Sequence, residues 1–369
     1  MKIIPTALPM PTTLSVCRSS FYYTCLIKHS PPPAVFFPRT GAPPDGVCSA
    51  AVTIHGYKCQ EFQVTTDDGY ILSVQRIPVG RDGGDGGTRP PVLLQHGLFI
   101  DGVSWLMNSP EESLAMILAD NGFDEFWNWT WDDLIIHELP SLIDLVFKQT
   151  AQKIHYVGHS QGSLMVLGTL SQGKLDNVKS AALLSPIAYL SHITSPIGVL
   201  AARVFLNETG VDLLCAHPTV VCNDMLTTYT GKNCCLNKST VEKFMQNELQ
   251  PTATKNMVHF AQGIRDGVLS KYDYGNAYNN LKHYGEEKPP VYDLFKIPTD
   301  FPLFLSHGGQ DALSDVNDVQ ILLDYLKSHD KDKLQVQFIQ DYAHVDFIMG
   351  FNANHLVYSH IIEFFRRHN

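Results

Sequence analysis

Hydrophobic positions along the chain form short runs that alternate with longer amphipathic stretches. The runs PVLLQ, KIHYV, SAALLSP, FPLFLS and LQVQFIQ have the length of strands, and several are apolar nearly throughout. Such runs are typical of strands that are buried on both faces. Between them, SPEESLAMILADNG has the pattern of a helix that begins at Ser109 and Pro110 and ends near Gly122. Strands that alternate with helices predict an α/β fold, with a mostly parallel sheet covered on both faces.

The alternation also divides the chain into regions. Residues 1–47 are rich in proline and predict a disordered leader with a weak signal segment. Residues 48–186 and 302–369 carry the strands and predict the two halves of a core, the first opening with a hairpin around Asp67-Asp68-Gly69. Residues 187–301 are mainly helical and predict a cap above the carboxyl ends of the strands, where open α/β sheets bind ligands.

Composition excludes several classes of protein. A net charge of −10 argues against nucleic acid or an anionic membrane as the partner, because both attract basic surfaces. Apolar runs all fall short of the length that a membrane span requires. The cysteines do not have zinc-site spacing, so we expect neither a metal nor a cofactor. The oligomeric state is left open.

Cysteines and glycosylation motifs favour a secretory route. Four cysteines lie at or before position 59, and four more crowd the cap between positions 215 and 235. Asn-X-Ser/Thr tripeptides make Asn128, Asn207 and Asn237 glycosylation candidates. Together these features favour an oxidising compartment.

The strongest chemical motif is YVGHSQG, in which Ser160 lies between Gly158 and Gly162. A predicted strand ends at this serine and a predicted helix begins directly after it, which is the context of a nucleophile elbow. The two glycines leave room for a turn so tight that a side chain at either position would clash. His159 is expected to shape the turn. Ser160 is therefore the candidate nucleophile.

A serine nucleophile needs a base, and the base needs an acid that orients it. In this kind of fold the acid and then the histidine follow the serine along the chain, each just after a strand. Asp311 follows FPLFLSHGGQ, and His344 follows LQVQFIQDYA. The sequence therefore predicts a Ser160–His344–Asp311 triad.

Other residues compete for these roles. Asp315 and Asp318 lie near Asp311, but their ordinary roles are helix capping and solvation. Asp346 is close to His344 and is expected to orient backbone groups. His307 precedes Asp311 too closely to reach the serine. None of these four is favoured over the triad.

An anionic intermediate also needs preset hydrogen-bond donors. The backbone N–H of Gln161 follows the nucleophile directly, and the loop after VLLQHG offers the N–H of Leu98. We predict that these two groups form the oxyanion hole.

These residues resemble the acid lipase family of lysosomal and gastric lipases, and in particular its plant triacylglycerol lipases. The similar segments include VLLQHGLFIDGVSWLMNSPEESLAMILADNGFD, YVGHSQG, GGQDALSDVNDVQ and AHVDFIMG, and they extend from about Cys48 to the C-terminus. The resemblance implies an α/β-hydrolase fold, and it places the family's triad and oxyanion donors on the residues named above. It also implies a lipid ester as substrate at a lipid–water interface, without a metal, in a secreted or vacuolar/lysosomal glycoprotein.

One segment departs from the family pattern. After ADNGFD the family continues through a strand resembling VWLGNTRGT before it reaches FWNWTWDDL, whereas here GFD joins EFWNWTWDDL directly. This junction predicts that a central strand has been deleted. A lost interior strand would leave two rows of backbone groups without partners.

The sequence as a whole predicts a carboxylic ester hydrolase that cleaves triacylglycerol or steryl esters through an acyl-enzyme intermediate. Two alternatives stay open: a catalytically impaired form that lacks a core strand, and a serine esterase that acts on non-lipid esters. Acyl-chain preference, pH optimum and disulfide pairing are not determined by the sequence.

Overall fold

The computed structural model describes residues 46–369, apart from residues 84–87, 128–133, 175, 197, 200–224, 248–251 and 253. The leader and the candidate glycosylation sites Asn128 and Asn207 lie outside the described residues. Among the described residues, none of the helices combines the length and the apolar character that a bilayer crossing requires.

The central element is a sheet of eight strands. Seen across the sheet, their order is β1-β2-β4-β3-β5-β6-β7-β8. Strands β1 and β2 form the expected antiparallel hairpin, β2 also pairs antiparallel with β4, and the remaining neighbours are parallel. In chain order the strands are β1 (Gln60–Thr65), β2 (Ile71–Ile77), β3 (Pro91–Gln95), β4 (Asp124–Trp127), β5 (Ile154–His159), β6 (Val178–Leu184), β7 (Leu303–Gly308) and β8 (Leu334–Ile339).

Helices surround this sheet, and several of them lie in the part of the chain between β6 and β7. In chain order they are α1 (Leu114–Asp120), α2 (Leu139–Thr150), α3 (Gln161–Ser171), α4 (Met225–Thr230), α5 (Lys238–Asn247), α6 (Thr254–Asp266), α7 (Ala277–Tyr284), α8 (Val316–Leu326), α9 (Asp346–Met349) and α10 (Ser359–Arg367). Short helical turns cover Cys48–Val52, Thr53–His55, Gly102–Leu106, Leu134–Glu138, Leu294–Lys296 and Asn354–Tyr358.

Side chains on the two faces of the sheet belong to two separate core clusters. In β3, Leu93 points into the cluster formed with α2, α3 and α8, whereas Val92 and Leu94 join the cluster formed with α1 and α10. This alternation follows from the period of two in a strand. All five residues of β3 are buried, as the uniformly apolar runs predict. The α/β-hydrolase fold class is confirmed.

The place of the central strand that was predicted to be deleted is occupied in this structure, because β4 lies between β2 and β3. Residues Asp124–Trp127 pair with both neighbours, in parallel with β3 and antiparallel with β2. The Arg76 guanidinium of β2 holds the Asp124 carboxylate through contacts of 2.7 and 2.6 Å. The junction that looked like a bare linker therefore supplies the strand, and β4 leads from α1 on one face toward α2 on the other.

Helix α1 begins later than the sequence predicts. Ser109 and Pro110 precede it in a turn, in which the Glu112 N–H donates to the Ser109 carbonyl oxygen at 2.9 Å. The helix itself starts at Leu114 after Ser113. The hydroxyl of Ser113 donates to the Trp105 carbonyl oxygen, so a tertiary contact sets the start of the helix.

Candidate active site

The turn after β5 holds Ser160 in an unusual backbone conformation. Its φ is 55° and its ψ is −117°, and α3 begins at the next residue. A Cβ on Gly158 would lie 2.6 Å from the Gly162 carbonyl carbon, and a Cβ on Gly162 would lie 2.5 Å from the Gln95 carbonyl oxygen. Glycine is required at both positions because the turn packs backbone against backbone. The cost of the strained serine is typical of functional sites.

Loops after β7 and β8 bring Asp311 against His344. The Nδ1 atom of His344 lies 3.0 Å from each carboxylate oxygen of Asp311. The carboxylate also accepts the backbone N–H groups of Leu313 at 2.9 Å and Ser314 at 2.8 Å. Both side chains are almost fully buried, so the carboxylate has a fixed orientation toward the imidazole.

These contacts keep the buried Asp311 ionised. Burial on its own would raise the pKa of the carboxyl group. The adjacent His344 and the two backbone N–H donors outweigh burial, and the pKa lies below its ordinary value. A charged carboxylate fixes the proton of His344 on Nδ1 and leaves Nε2 as the basic atom.

The backbone of His344 is tied to the nucleophile turn. His159 Nε2–H donates to the His344 carbonyl oxygen at 2.8 Å, and the Ser185 hydroxyl donates to the same oxygen at 3.2 Å. The rings of His159 and His344 are 4.9 Å apart. Among the described residues, the Ser160 hydroxyl makes no hydrogen bond to the His344 ring. Such bonds are often long until substrate is bound.

A small cavity is lined by both residues that were predicted to supply the oxyanion donors. Leu98 and Gln161 line it, together with Gln95 and the cap residues Thr252 and Asn256. Within the described part of the chain, the N–H groups of Leu98 and Gln161 donate to no other residue. Two preset donors that remain available beside a nucleophile are what an anionic intermediate requires.

The loop after β3 approaches the nucleophile very closely. A Cβ on Gly97 would lie 2.9 Å from Ser160 Cβ and 3.4 Å from Ser160 Oγ. Phe99 in the same loop has a φ of 63°. After β3 the chain adds β4 on one side of the sheet and then β5 on the other. The loop after β3 and the serine turn after β5 therefore meet where the order of strands reverses, which is where open α/β sheets bind ligands.

Two buried histidines close to Ser160 in the fold have lowered pKa values. Burial lowers the pKa of His96 to about 4. Burial, and after it the neighbouring His344, lower the pKa of His159 to about 3. A neutral His159 donates through Nε2 and adds no positive charge beside the base.

The competing acids have other roles. Asp315 caps α8 by accepting the Asn317 N–H at 2.8 Å, as expected. The expectation of a solvated Asp318 is wrong, because its side chain is 2% exposed. It accepts hydrogen bonds from the Ser191 hydroxyl at 3.1 Å and from the His192 N–H at 2.9 Å.

Asp346 and His307 also lie apart from the base position. Asp346 orients backbone, since its carboxylate accepts the N–H groups of Ala343, Cys234 and Cys235. His307 lies within β7, and its ring is 5.1 Å from the ring of Phe338 on the neighbouring strand β8.

Two clusters among the described residues bring three potential metal ligands together. One consists of Asp67, Asp68 and His137, in which the Asp67 carboxylate already pairs with the His137 Nδ1 at 2.6 Å. The other consists of Cys234, Cys235 and Asp346. Its two cysteines form a disulfide with each other, and a disulfide offers no thiolate to a metal.

Family models match most of the chain. A model described as a partial α/β-hydrolase lipase region matches residues 48–109, and an esterase model matches residues 112–261. Triacylglycerol lipase 2 of Arabidopsis thaliana is 47% identical over 377 aligned positions, covering 89% of this chain and 90% of that protein. Human gastric triacylglycerol lipase is 31% identical, covering 85% of this chain and 89% of its own length.

The chain belongs to the acid lipase family. It is a hydrolase of the lipase and esterase class. The alignment with triacylglycerol lipase 2 has more positions than the aligned part of this chain has residues. Some residues of that relative therefore have no counterpart in this member of the acid lipase family. Solved structures agree on the fold: an esterase of Pyrococcus furiosus has a TM-score of 0.53 at 16% identity, covering 91% of this chain and 98% of its own. A soluble variant of monoglyceride lipase from Saccharomyces cerevisiae also scores 0.53, at 16% identity and 92% and 99% coverage.

Sequence reasoning missed several residues around the site of this acid lipase family member. Ser185 after β6 holds the His344 carbonyl oxygen. Thr230 accepts hydrogen bonds from the N–H groups of Ala312 and His344 through its own carbonyl oxygen. Backbone carbonyls carry no side-chain signal, so no motif could have identified Thr230. Ser185 lies at the end of the predicted strand SAALLSP, and this position could have identified it.

Proposed function

We propose that this protein hydrolyses carboxylic esters of lipids through Ser160, His344 and Asp311. The observation that carries the proposal is the arrangement of four separate loops: the strained serine turn, the two loops that bring Asp311 against His344, and a glycine loop against the serine hydroxyl. Each loop follows a different strand of one sheet. Their convergence supports nucleophilic catalysis.

The proposed reaction has two halves. His344 Nε2 takes the proton of Ser160 as Oγ attacks the ester carbonyl carbon, and the N–H groups of Leu98 and Gln161 stabilise the oxyanion. The leaving alcohol then receives the proton from His344, and an acyl-enzyme forms at Ser160. Water then attacks the acyl carbon while the same imidazole takes its proton. The bond between the acyl carbon and Ser160 Oγ breaks, His344 returns the proton to Oγ, and the acid and the free serine are released.

A small cavity beside α3 has room for about one water molecule. It is lined mainly by hydrophobic side chains, and Leu164 stands one helical turn beyond Ser160 on α3. Other lining residues come from the segment after β6 and from cap helix α6, among them Leu190 and Phe260. A cavity of this size does not hold an acyl chain, so the proposal of a lipid substrate rests on the relatives. The relatives are named triacylglycerol lipases, which supports triacylglycerol, with steryl ester as the second candidate.

The test compares Ser160→Ala with Ser171→Ala, a buried serine at the far end of the same helix. With p-nitrophenyl butyrate, Ser160→Ala should lower kcat by about 10⁴-fold or more and abolish labelling by a fluorophosphonate. Ser171→Ala should keep both. Labelling that persists in Ser160→Ala contradicts the proposed nucleophile.

Rates on triolein, cholesteryl oleate and p-nitrophenyl butyrate then rank the substrates. A preference for the long-chain esters supports a lipase, whereas activity on the short ester alone supports a non-lipid esterase. A folded wild-type chain that hydrolyses none of them supports the impaired form.

We further propose a secretory route and glycosylation at Asn237. Its side chain is exposed at the start of α5, and the chain has a disulfide between Cys48 and Cys59. Disulfides form in oxidising compartments. Glycosidase treatment of the protein from its native source should lower its apparent mass, and a peptide map that shows Asn237 unmodified contradicts the proposal for that site.

A further inference from the structure

One segment of the cap contacts both catalytic loops. We name Thr230–Leu236, which begins at the last residue of helix α4, the inner cap segment. The Thr230 carbonyl oxygen accepts the Ala312 N–H at 3.3 Å and the His344 N–H at 3.2 Å. Gly231 pairs with Asp311 in an antiparallel bridge. A single carbonyl oxygen therefore joins the loop that carries the acid to the loop that carries the base.

The contact is so close that only glycine fits at position 231. Its φ is +98°, and a Cβ there would lie 2.1 Å from the Gln310 carbonyl oxygen and 2.9 Å from the Ala312 nitrogen. Asn233 holds the turn from the other side, since its Nδ2 donates to Thr230 Oγ1 at 2.8 Å and to the Gly231 carbonyl oxygen at 3.1 Å. The approach of the segment to the acid loop is thus built by specific residues.

The far end of the inner cap segment binds the chain just beyond His344. The N–H groups of Cys234 and Cys235 donate to the Asp346 carboxylate at 3.2 and 3.1 Å. The Cys235 carbonyl oxygen accepts the Phe351 N–H at 2.8 Å. The segment therefore holds this part of the chain at His344 itself and at Asp346 and Phe351 beyond it.

We infer that the inner cap segment is a positioning element that fixes Asp311 and His344 relative to each other, in addition to being part of the cover over the site. This inference rests on the proposed function of these two residues. The acid and the base come from loops after neighbouring strands, and their contact requires the loops to keep one separation. The Gln310 N–H already donates to the Tyr342 carbonyl oxygen at 2.9 Å across the two loops. The shared acceptor at Thr230 adds a second link, because moving either loop breaks one of its two hydrogen bonds.

The test replaces Gly231 by alanine and uses Gly275→Ala as the matched control. Both glycines lie in the cap with positive φ, +98° and +86°, but a Cβ on Gly275 meets nothing within 4 Å. Both variants strain the backbone alike, and only Gly231→Ala pushes against the acid loop. We expect Gly231→Ala to lower kcat on p-nitrophenyl butyrate and the rate of fluorophosphonate labelling by about 10²-fold, with KM within about twofold. Gly275→Ala should keep kcat near the wild-type value.

Asn233→Ala provides a second variant without a clash. It removes two hydrogen bonds that hold the turn, and it should lower kcat in the same direction as Gly231→Ala but by less, again with little change in KM. If Gly231→Ala does not fold, this variant decides, and an unchanged kcat in folded Asn233→Ala overturns the inference.

Other outcomes separate the inference from the proposed function. Equal kcat values in Gly231→Ala and Gly275→Ala overturn the inference while Ser160→Ala still supports the nucleophile. A change in KM alone also overturns it, because the segment would then act only as a wall of the substrate site. Hydrolysis that survives in Ser160→Ala contradicts the proposed function itself.

Discussion

The inner cap segment and the outer cap helix α7 belong to the same stretch of chain but are held in very different ways. The inner segment is tied to the catalytic loops through backbone atoms at Thr230 and Cys235. Helix α7 has one buried residue, Asn280, whereas Tyr278 is 77% exposed and Leu281 is 46% exposed. The inner cap segment is held by contacts with the loops of the candidate active site, whereas helix α7 mostly faces solvent.

The comparison shows that the cap should not be treated as one unit. Where the cap meets the sheet, single atoms such as a Cβ at position 231 would collide with backbone, so substitutions there should change chemistry. Where the cap faces solvent, substitutions should change little. The expected effect of a substitution decreases in the same way from Asp311 at the site to residues on the outer helices.

The largest effect is expected at the site itself, for Asp311→Asn. An asparagine keeps the size of the side chain but cannot hold the Nδ1 proton of His344 with a negative charge. We expect kcat to fall by about 10⁴-fold. The hydrolysis rate at a series of p-nitrophenyl butyrate concentrations measures this change.

The matched control for that change is Asp315→Asn, four residues further along the chain. Asparagine caps a helix as well as aspartate, so α8 and the activity should both be kept. If Asp315→Asn loses the activity and Asp311→Asn retains it, the acid has been assigned to the wrong residue.

A medium effect is expected for the pH dependence of stability, through His155 in β5. Its ring stacks on Phe365 at 4.5 Å, and burial lowers its pKa from 6.5 to about 3. The unfolded chain therefore takes up this proton at a higher pH than the folded chain, so stability is full above about pH 6.5 and falls as the pH is lowered toward 3. Between pH 7 and pH 5 the loss from this residue is roughly 2 kcal/mol.

Urea unfolding of His155→Asn at the two pH values tests this expectation. Asparagine can keep the hydrogen bond that His155 Nδ1 makes with the Ser180 hydroxyl at 2.8 Å. The variant should be less stable at pH 7 because the stacking is lost, yet lose roughly 2 kcal/mol less than the wild type on acidification. The exposed His360→Asn should behave like the wild type. Equal losses in all three proteins contradict the expectation.

The sheet and the residues at its strand ends could be predicted from sequence, because their signals are local. Buried strands read as continuous apolar runs, and the glycines beside Ser160 reveal a turn in which backbone packs on backbone. The order of the acid and the histidine then follows from the order of β7 and β8. The structure brings Asp311 and His344 together as that order predicts.

The failures of prediction have a common physical cause, which is tertiary contact. Strand β4 has only four residues and little apolar pattern. It forms a strand because its backbone pairs with both β2 and β3 and because Arg76 binds Asp124. The start of α1 was also set by a distant partner, through the contact of Ser113 with Trp105. Thr230 contacts the loops of Asp311 and His344 through its backbone carbonyl oxygen. Because every residue has this group, the sequence carries no signal for the contact.

The smallest effect is expected on the solvent side of α7, where Tyr278→Ser should change the free energy of unfolding by no more than about 0.5 kcal/mol. Its neighbour Asn280→Ala is the matched contrast, since Asn280 accepts the Tyr274 N–H at 3.0 Å and donates to the Glu287 carbonyl oxygen at 3.1 Å. Losing these partners in a buried position should cost about 1–3 kcal/mol. Urea unfolding measures both changes, and p-nitrophenyl butyrate reports whether either reaches the site. A large loss of kcat in Tyr278→Ser would mean that the outer cap is coupled to the catalytic loops as tightly as the inner segment, and the distinction between the two regions would fail.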